Sequence, residues 1–209
     1  MRGVLLALFL LAVPASGQIV VLGDSLAHGA GDETGRGIAG VLGAVNLGVN
    51  GARTADMLRH LERDDVRAAV RRARWIVVSI GGNDLFGSSL ERIRSILAPR
   101  LTTELVVARV ARVIAKIRGE NPSAKIVLLG LFNPYRETKI GPWLDEQVAR
   151  WDGRIITRFA ANRAVNVVRI ADLIDERRAI SPIDHYHPSA AGYRAIAERI
   201  RAAYTFSSP

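Results

Sequence analysis

The chain has 209 residues, enough for one domain with a sizeable core, and at 49% hydrophobic and 23% charged it is not a disordered chain. It has no cysteine, which excludes disulfides, thiol catalysis and cysteine-ligated metals. The formal net charge is +9, nearly all of it arginine, since lysine occurs only at Lys116, Lys125 and Lys139.

Arginines such as Arg59, Arg63, Arg67, Arg71, Arg109, Arg112 and Arg118 are spread along helical stretches with acids among them, and no basic-aromatic run stands out. That pattern argues against nucleic-acid binding and for a solvated basic surface, one compatible with association with an anionic envelope.

In chain order the first feature is Arg2, then an unbroken apolar run over residues 4–13, then Pro14, Ala15, Ser16 and Gly17. Residues 1–17 read as a signal peptide. The run has the roughly 7–15 residues of an h-region, falls short of the ~20 that span a bilayer, and is followed by small residues suited to cleavage. Export to the periplasm or medium is therefore expected, with an uncleaved membrane anchor or a buried first strand as the alternatives. Residues 18–209 are expected to form a single domain.

After Gly17, short β-branched runs alternate with longer stretches of helical period, the signature of a parallel sheet covered by helices. Strands are expected at 18–22, 44–47, 75–80, 125–130 and 165–170, each apolar and unbroken, as in strands buried on both faces. Helices are expected at 55–73, 88–97, 105–118, 143–161 and 190–204, with Thr54 and Ser189 as N-caps and Pro99 separating the second from the third. In 105–118, Val106, Val110, Val113 and Ile117 share one face while Arg109, Arg112 and Lys116 share the other. Five strands joined by such crossovers imply a doubly wound sheet of order 2-1-3-4-5, with ligands beyond the carboxyl ends of the strands.

Four polar, glycine-rich motifs fall at that edge: Gly23-Asp24-Ser25-Leu26 after the first strand, 46–51 at and after the second, Gly81-Gly82-Asn83-Asp84 after the third, and Asp184-His185-Tyr186-His187-Pro188 before the last helix. A serine hydroxyl needs a base within hydrogen-bond reach. Of four histidines, His28 has no obvious orienting acid and His60 sits among charges in an expected surface helix, which leaves His185 and His187. A carboxylate must hold the imidazole tautomer, and a three-residue offset in a turn favours Asp184 with His187 over Asp184 with its neighbour. Oxyanion donors are expected from the backbone N–H groups of Ser25 and Gly51 and the side-chain amide of Asn83. Asp24 and Asp84 are expected to organise their loops, and Tyr186 to pack.

These motifs resemble, in order, the four motifs of the GDSL family, also called SGNH hydrolases, and the similar regions cover most of the chain after residue 18. The stretch 23–35, with Gly31-Asp32-Glu33-Thr34-Gly35, is most similar to the bacterial lipase-like branch. The resemblance implies a three-layer, flavodoxin-like sheet, no metal or other cofactor, and hydrolysis of acyl esters or thioesters through an acyl-enzyme. It also implies the roles argued above: Ser25 as nucleophile, His187 as base and acid, Asp184 as orienter, and Ser25, Gly51 and Asn83 as oxyanion donors. Ala27 departs from the family's usual serine or threonine, and the segment between the first two strands is short.

Within this reading the substrate is a small-molecule or lipid acyl ester, with thioesters, lysophospholipids and acetylated carbohydrates as alternatives. Phe86, Leu131, Phe132, Tyr135 and Trp143 are candidate pocket residues, an apolar set that leans towards acyl chains. Outside enzymes the rival is a module that binds an envelope polymer without turnover. The run Gly35-Arg36-Gly37-Ile38-Ala39-Gly40 matches a dinucleotide fingerprint in letters only, because it starts well after the first strand. A metal site at Asp184, His185 and His187 would need a further ligand.

Overall fold

A computed structural model describes residues 19–174 and 177–205. The leader read at 1–17 lies outside them. Strands β1 (Ile19–Gly23), β2 (Val45–Gly48), β3 (Trp75–Ser79), β4 (Lys125–Leu129) and β5 (Val165–Val168) pair in parallel in the order β2-β1-β3-β4-β5. This is the expected order, and every strand end falls within two residues of its expected place.

Period-two alternation splits the core between the two faces of the sheet. Val20, Leu22, Ile76, Val78, Ile126 and Leu128 point to one side, and Val21, Val77 and Val127 to the other. The helices are α1 (Ser25–His28), α2 (Gly37–Leu42), α3 (Thr54–His60), α4 (Asp64–Arg72), α5 (Gly82–Phe86), α6 (Ser89–Leu97), α7 (Pro99–Glu120), α8 (Gly141–Phe159) and α9 (Ala190–Thr205). Residues of α3, α4, α7 and α8 cover the first side, and those of α1, α2 and α9 the second. The result is a three-layer sandwich. Register pairs Gly23 with both Gly48 and Ser79, so the carboxyl ends of β1, β2 and β3 finish level.

Two helix expectations are corrected. The single helix expected at 55–73 is two, because the chain turns after His60 and Arg63 takes an extended conformation (φ −69°, ψ 137°) before Asp64 and Asp65 start α4 with negative charge at its N-terminus. The break lets Leu61, fully buried, reach the core. Thr54 is not an N-cap but the first residue of α3, and its hydroxyl donates to Asp84 instead. Ser189 does cap α9, its Oγ accepting the Gly192 N–H at 3.3 Å.

The helix expected at 105–118 is longer, running 22 residues from Pro99. Proline in the first turn has no N–H that the helix would miss, so Pro99 opens α7 as well as ending what precedes it.

Candidate active site

Gly23 ends β1 with φ +142°, and a Cβ there would lie 1.8 Å from the Ser79 carbonyl oxygen of β3, so only glycine fits. Asp24 follows as the N-cap of α1. Its Oδ1 accepts the Leu26 N–H at 3.1 Å and the Ser79 hydroxyl at 2.9 Å. Burial pushes its carboxyl up to about 6, only partly offset by those hydrogen bonds. Ser25 is thereby held as the first residue of α1 at the carboxyl end of β1, beside the β1/β3 position where the strand order reverses.

Across the reversal, α5 carries Asn83, whose Nδ2 donates to the Ala52 carbonyl at 3.0 Å. Asp84 takes the Thr54 hydroxyl at 2.6 Å and the Thr54 N–H at 2.9 Å, with Arg109 at 3.7 Å. Together these bonds tie the loop after β2, which contains Gly51 (φ +74°), to the start of α5. Asp24 and Asp84 thus organise loops, as expected. The N–H groups of Ser25 and Gly51 make no hydrogen bond among the described residues.

The last motif forms a tight turn. His185 has φ 53°, a left-handed conformation that folds the chain back so that Asp184 Oδ1 accepts the N–H groups of Tyr186 and His187 at 2.9 and 3.0 Å. Asp184 Oδ2 meets His187 Nδ1 at 2.7 Å. Burial pulls the Asp184 carboxyl upward, but the hydrogen bonds from the His187 ring and from the two backbone N–H groups outweigh it and hold the group below its usual value. An ionised acceptor places a proton on Nδ1, the donor of this bond.

The segment 29–37 braces this turn. A Cβ on Gly31 would lie 2.7 Å from His187 Cβ and 3.2 Å from Asp184 Oδ2. Asp32 accepts the N–H groups of Thr34 and Gly37 and the Thr34 hydroxyl, while Glu33 Oε2 accepts the Ala190 N–H at 2.9 Å and the Tyr193 hydroxyl donates to the Ala30 carbonyl at 2.7 Å. The segment is therefore fastened to the first turn of α9.

Ser25, Asn83 and His187 line one cavity, together with Phe86, Leu131, Phe132 and Tyr135. Its volume is about 90 Å³, against the roughly 10–15 Å³ that one water needs by the same measure. The cavity therefore has room for more than solvent. Asp184 stands behind His187, on its Nδ1 side. The structure records no hydrogen bond between the Ser25 hydroxyl and His187, and Gly51 is not among the lining residues. Trp143 lines the adjoining groove and packs edge-on against Phe86, with ring centroids 6.3 Å apart. Leu144 and Val148 of α8 also line the cavity, unanticipated in the sequence although their four-residue spacing puts them on one helix face. His185 lies in a separate surface pocket with Ser181 and Pro182.

The chain matches the GDSL-like lipase/acylhydrolase family over residues 21–195 and belongs to it, which places the protein in the class of ester hydrolases. It is 26% identical over 202 residues to an uncharacterized protein, YpmR, of Bacillus subtilis, covering 87% of this chain and 79% of that one. It is 25% identical over 161 residues to a spore germination lipase, LipC, of Bacillus licheniformis, covering 74% of each. Among solved structures, the lipase Lip_vut3 from a goat rumen metagenome shares its fold with a TM-score of 0.71 at 23% identity, over 89% of this chain and 96% of that one.

Proposed function

We propose that the protein is a serine esterase acting on acyl esters, with Ser25 as nucleophile, His187 as general base and acid, and Asp184 as orienter. The observation that carries this reading is the 2.7 Å bond between His187 Nδ1 and Asp184 beside a cavity lined by Ser25, His187 and Asn83. Ser25 Oγ attacks the ester carbonyl and passes its proton to His187 Nε2. The oxygen that gains negative charge is held by the Ser25 N–H and the second N–H of the Asn83 amide, the first being used by Ala52.

Collapse of the tetrahedral intermediate returns the proton from His187 to the departing alcohol and leaves an acyl-serine. Water, deprotonated by the same histidine, then releases the acid. Phe86, Leu131, Phe132, Tyr135, Leu144 and Val148 make the wall of the cavity apolar, which supports an acyl chain over a sugar as its occupant. The lipase name of the Bacillus licheniformis relative supports the same substrate class.

Replacing Ser25 with alanine is expected to abolish p-nitrophenyl butyrate hydrolysis and labelling by a fluorophosphonate probe while leaving the circular dichroism spectrum unchanged. Undiminished turnover by Ser25→Ala rejects the assignment, and a native protein that takes no label is a binding module. The proposal includes export, on the strength of the apolar run at 4–13; N-terminal sequencing of protein recovered outside the cytoplasm is expected to begin near residue 18.

A further inference from the structure

We infer that α6, the first turn of α7 and the segment 135–140 form a docking surface for an anionic lipid interface. The inference deepens the proposed esterase function by stating how a lipid ester reaches the cavity. Its starting point is a helix packed inside out. Ser95 of α6 faces inward, 2% exposed, with its hydroxyl donating to the Leu85 carbonyl at 2.9 Å, while Leu90, Ile93, Ile96 and Leu97 are 53%, 51%, 58% and 79% exposed. A helix on a wet surface turns its apolar stripe to the core. Here the stripe faces outward, and Leu101 of α7, 61% exposed, extends it.

The exposed stripe adjoins the catalytic cavity. Arg92 and Ile96 of α6 line a groove with Ile140 and Trp143, and Phe86, Tyr135, Leu144 and Tyr186 line both this groove and the cavity of Ser25 and His187. A second copy of the chain seated on the stripe would cover that route. A lipid surface instead delivers acyl chains into it.

Charge selects the kind of lipid. Arg92, Arg94, Arg100, Arg136 and Lys139 are exposed around the apolar residues. The segments 88–105 and 135–143 carry these five cations against the three acids Glu91, Glu104 and Glu137, on a chain of net charge +9; Glu104 is paired with Arg154 of α8 and Arg136 with Asp145 of α8. Apolar side chains ringed by cations are the combination that holds a helix in the headgroup region of an anionic bilayer.

The test is cosedimentation of the full chain carrying Ser25→Ala with vesicles of phosphatidylglycerol and phosphatidylcholine, or of phosphatidylcholine alone. Binding is expected to be at least tenfold tighter to the anionic vesicles, and Leu90→Ser/Ile93→Ser/Leu97→Ser is expected to weaken it at least tenfold. With Ser25 intact, the triple variant is expected to keep its turnover of p-nitrophenyl acetate. Equal binding by the triple variant, as anchoring by the apolar run at 4–13 would give, overturns the inference. So does equal binding to neutral vesicles, or a dimer that the triple variant abolishes in a protein that ignores vesicles.

If the triple variant does not fold, Leu97→Cys, the only thiol in such a chain, carries an environment-sensitive dye. A blue shift with anionic vesicles is expected, and unchanged emission overturns the inference. Hydrolysis that survives Ser25→Ala would defeat the catalytic assignment without touching the vesicle result.

Discussion

Gly31 and His187 approach so closely that a Cβ on the glycine would lie 2.7 Å from the histidine Cβ, and Gly31 has φ +80° besides. Gly31→Ala therefore brings both a backbone cost of ~1–2 kcal/mol and a displacement of the Asp184–His187 pair. A misplacement of about 1 Å at a reacting group costs up to ~100-fold in rate. The variant is expected to lose at least about tenfold in kcat on a p-nitrophenyl ester, with a lowered Tm. An unchanged kcat would show that this contact does not position the ring.

Asn83→Ala removes a side-chain donor from the cavity and the bond to Ala52 that ties the β2 loop to α5. Loss of one oxyanion donor typically costs about 10²–10³ in kcat. That loss is expected here, with KM changed much less, because the donor matters most when charge has developed on the substrate oxygen. Steady-state kinetics that moved KM alone would assign Asn83 to ground-state binding.

Asp24 makes a prediction about pH. Its carboxyl is raised from 3.8 to about 6, first by burial. Below pH ~4 both folded and unfolded chains hold this proton and the group contributes no penalty. Between about 4 and 6 the unfolded chain releases it while the folded chain keeps it, so stability falls as pH rises, by about 3 kcal/mol in all, and levels off above the folded value. Asp152, buried and also raised to about 6, acts in the same direction. In Asp24→Asn one oxygen still accepts from both Leu26 and Ser79, so urea titrations of the variant between pH 4 and 7 are expected to show a shallower loss of stability. Parallel curves for the two proteins would remove Asp24 as the source.

What was legible in the sequence follows from what was local. Strands buried on both faces announce themselves as unbroken apolar runs, so β1 to β5 and their order could be read, and Asp184 could be paired with His187 by chemistry and spacing. Helix periodicity is blinder. It reports an amphipathic pattern without saying which stripe meets the core, so nothing in 88–97 revealed that Ser95 turns inward and Ile93 outward. Nor did it register the break at Arg63, because the apolar pattern carries on through Leu61 to Val66. Thr54 is a natural cap by residue type, but Asp84, thirty residues away, takes its hydroxyl.

Glu33 and Ala190 form another such distant bond, 157 residues apart in sequence and 2.9 Å apart in space. The carboxylate caps the first N–H of α9 and places negative charge at the positive end of the helix, each worth roughly 1 kcal/mol or less. The same bond fastens the segment that carries Gly31 against His187. Glu33→Ala is therefore expected to lower stability by about 1 kcal/mol and to reduce kcat severalfold through slack in the histidine turn, while leaving KM nearly unchanged. Glu33→Gln, which keeps an accepting oxygen but not the charge, is expected to recover most of kcat and part of the stability. If Glu33→Ala lowers Tm and leaves kcat untouched, the bond holds α9 alone, and the positioning of His187 rests on the packing of Gly31.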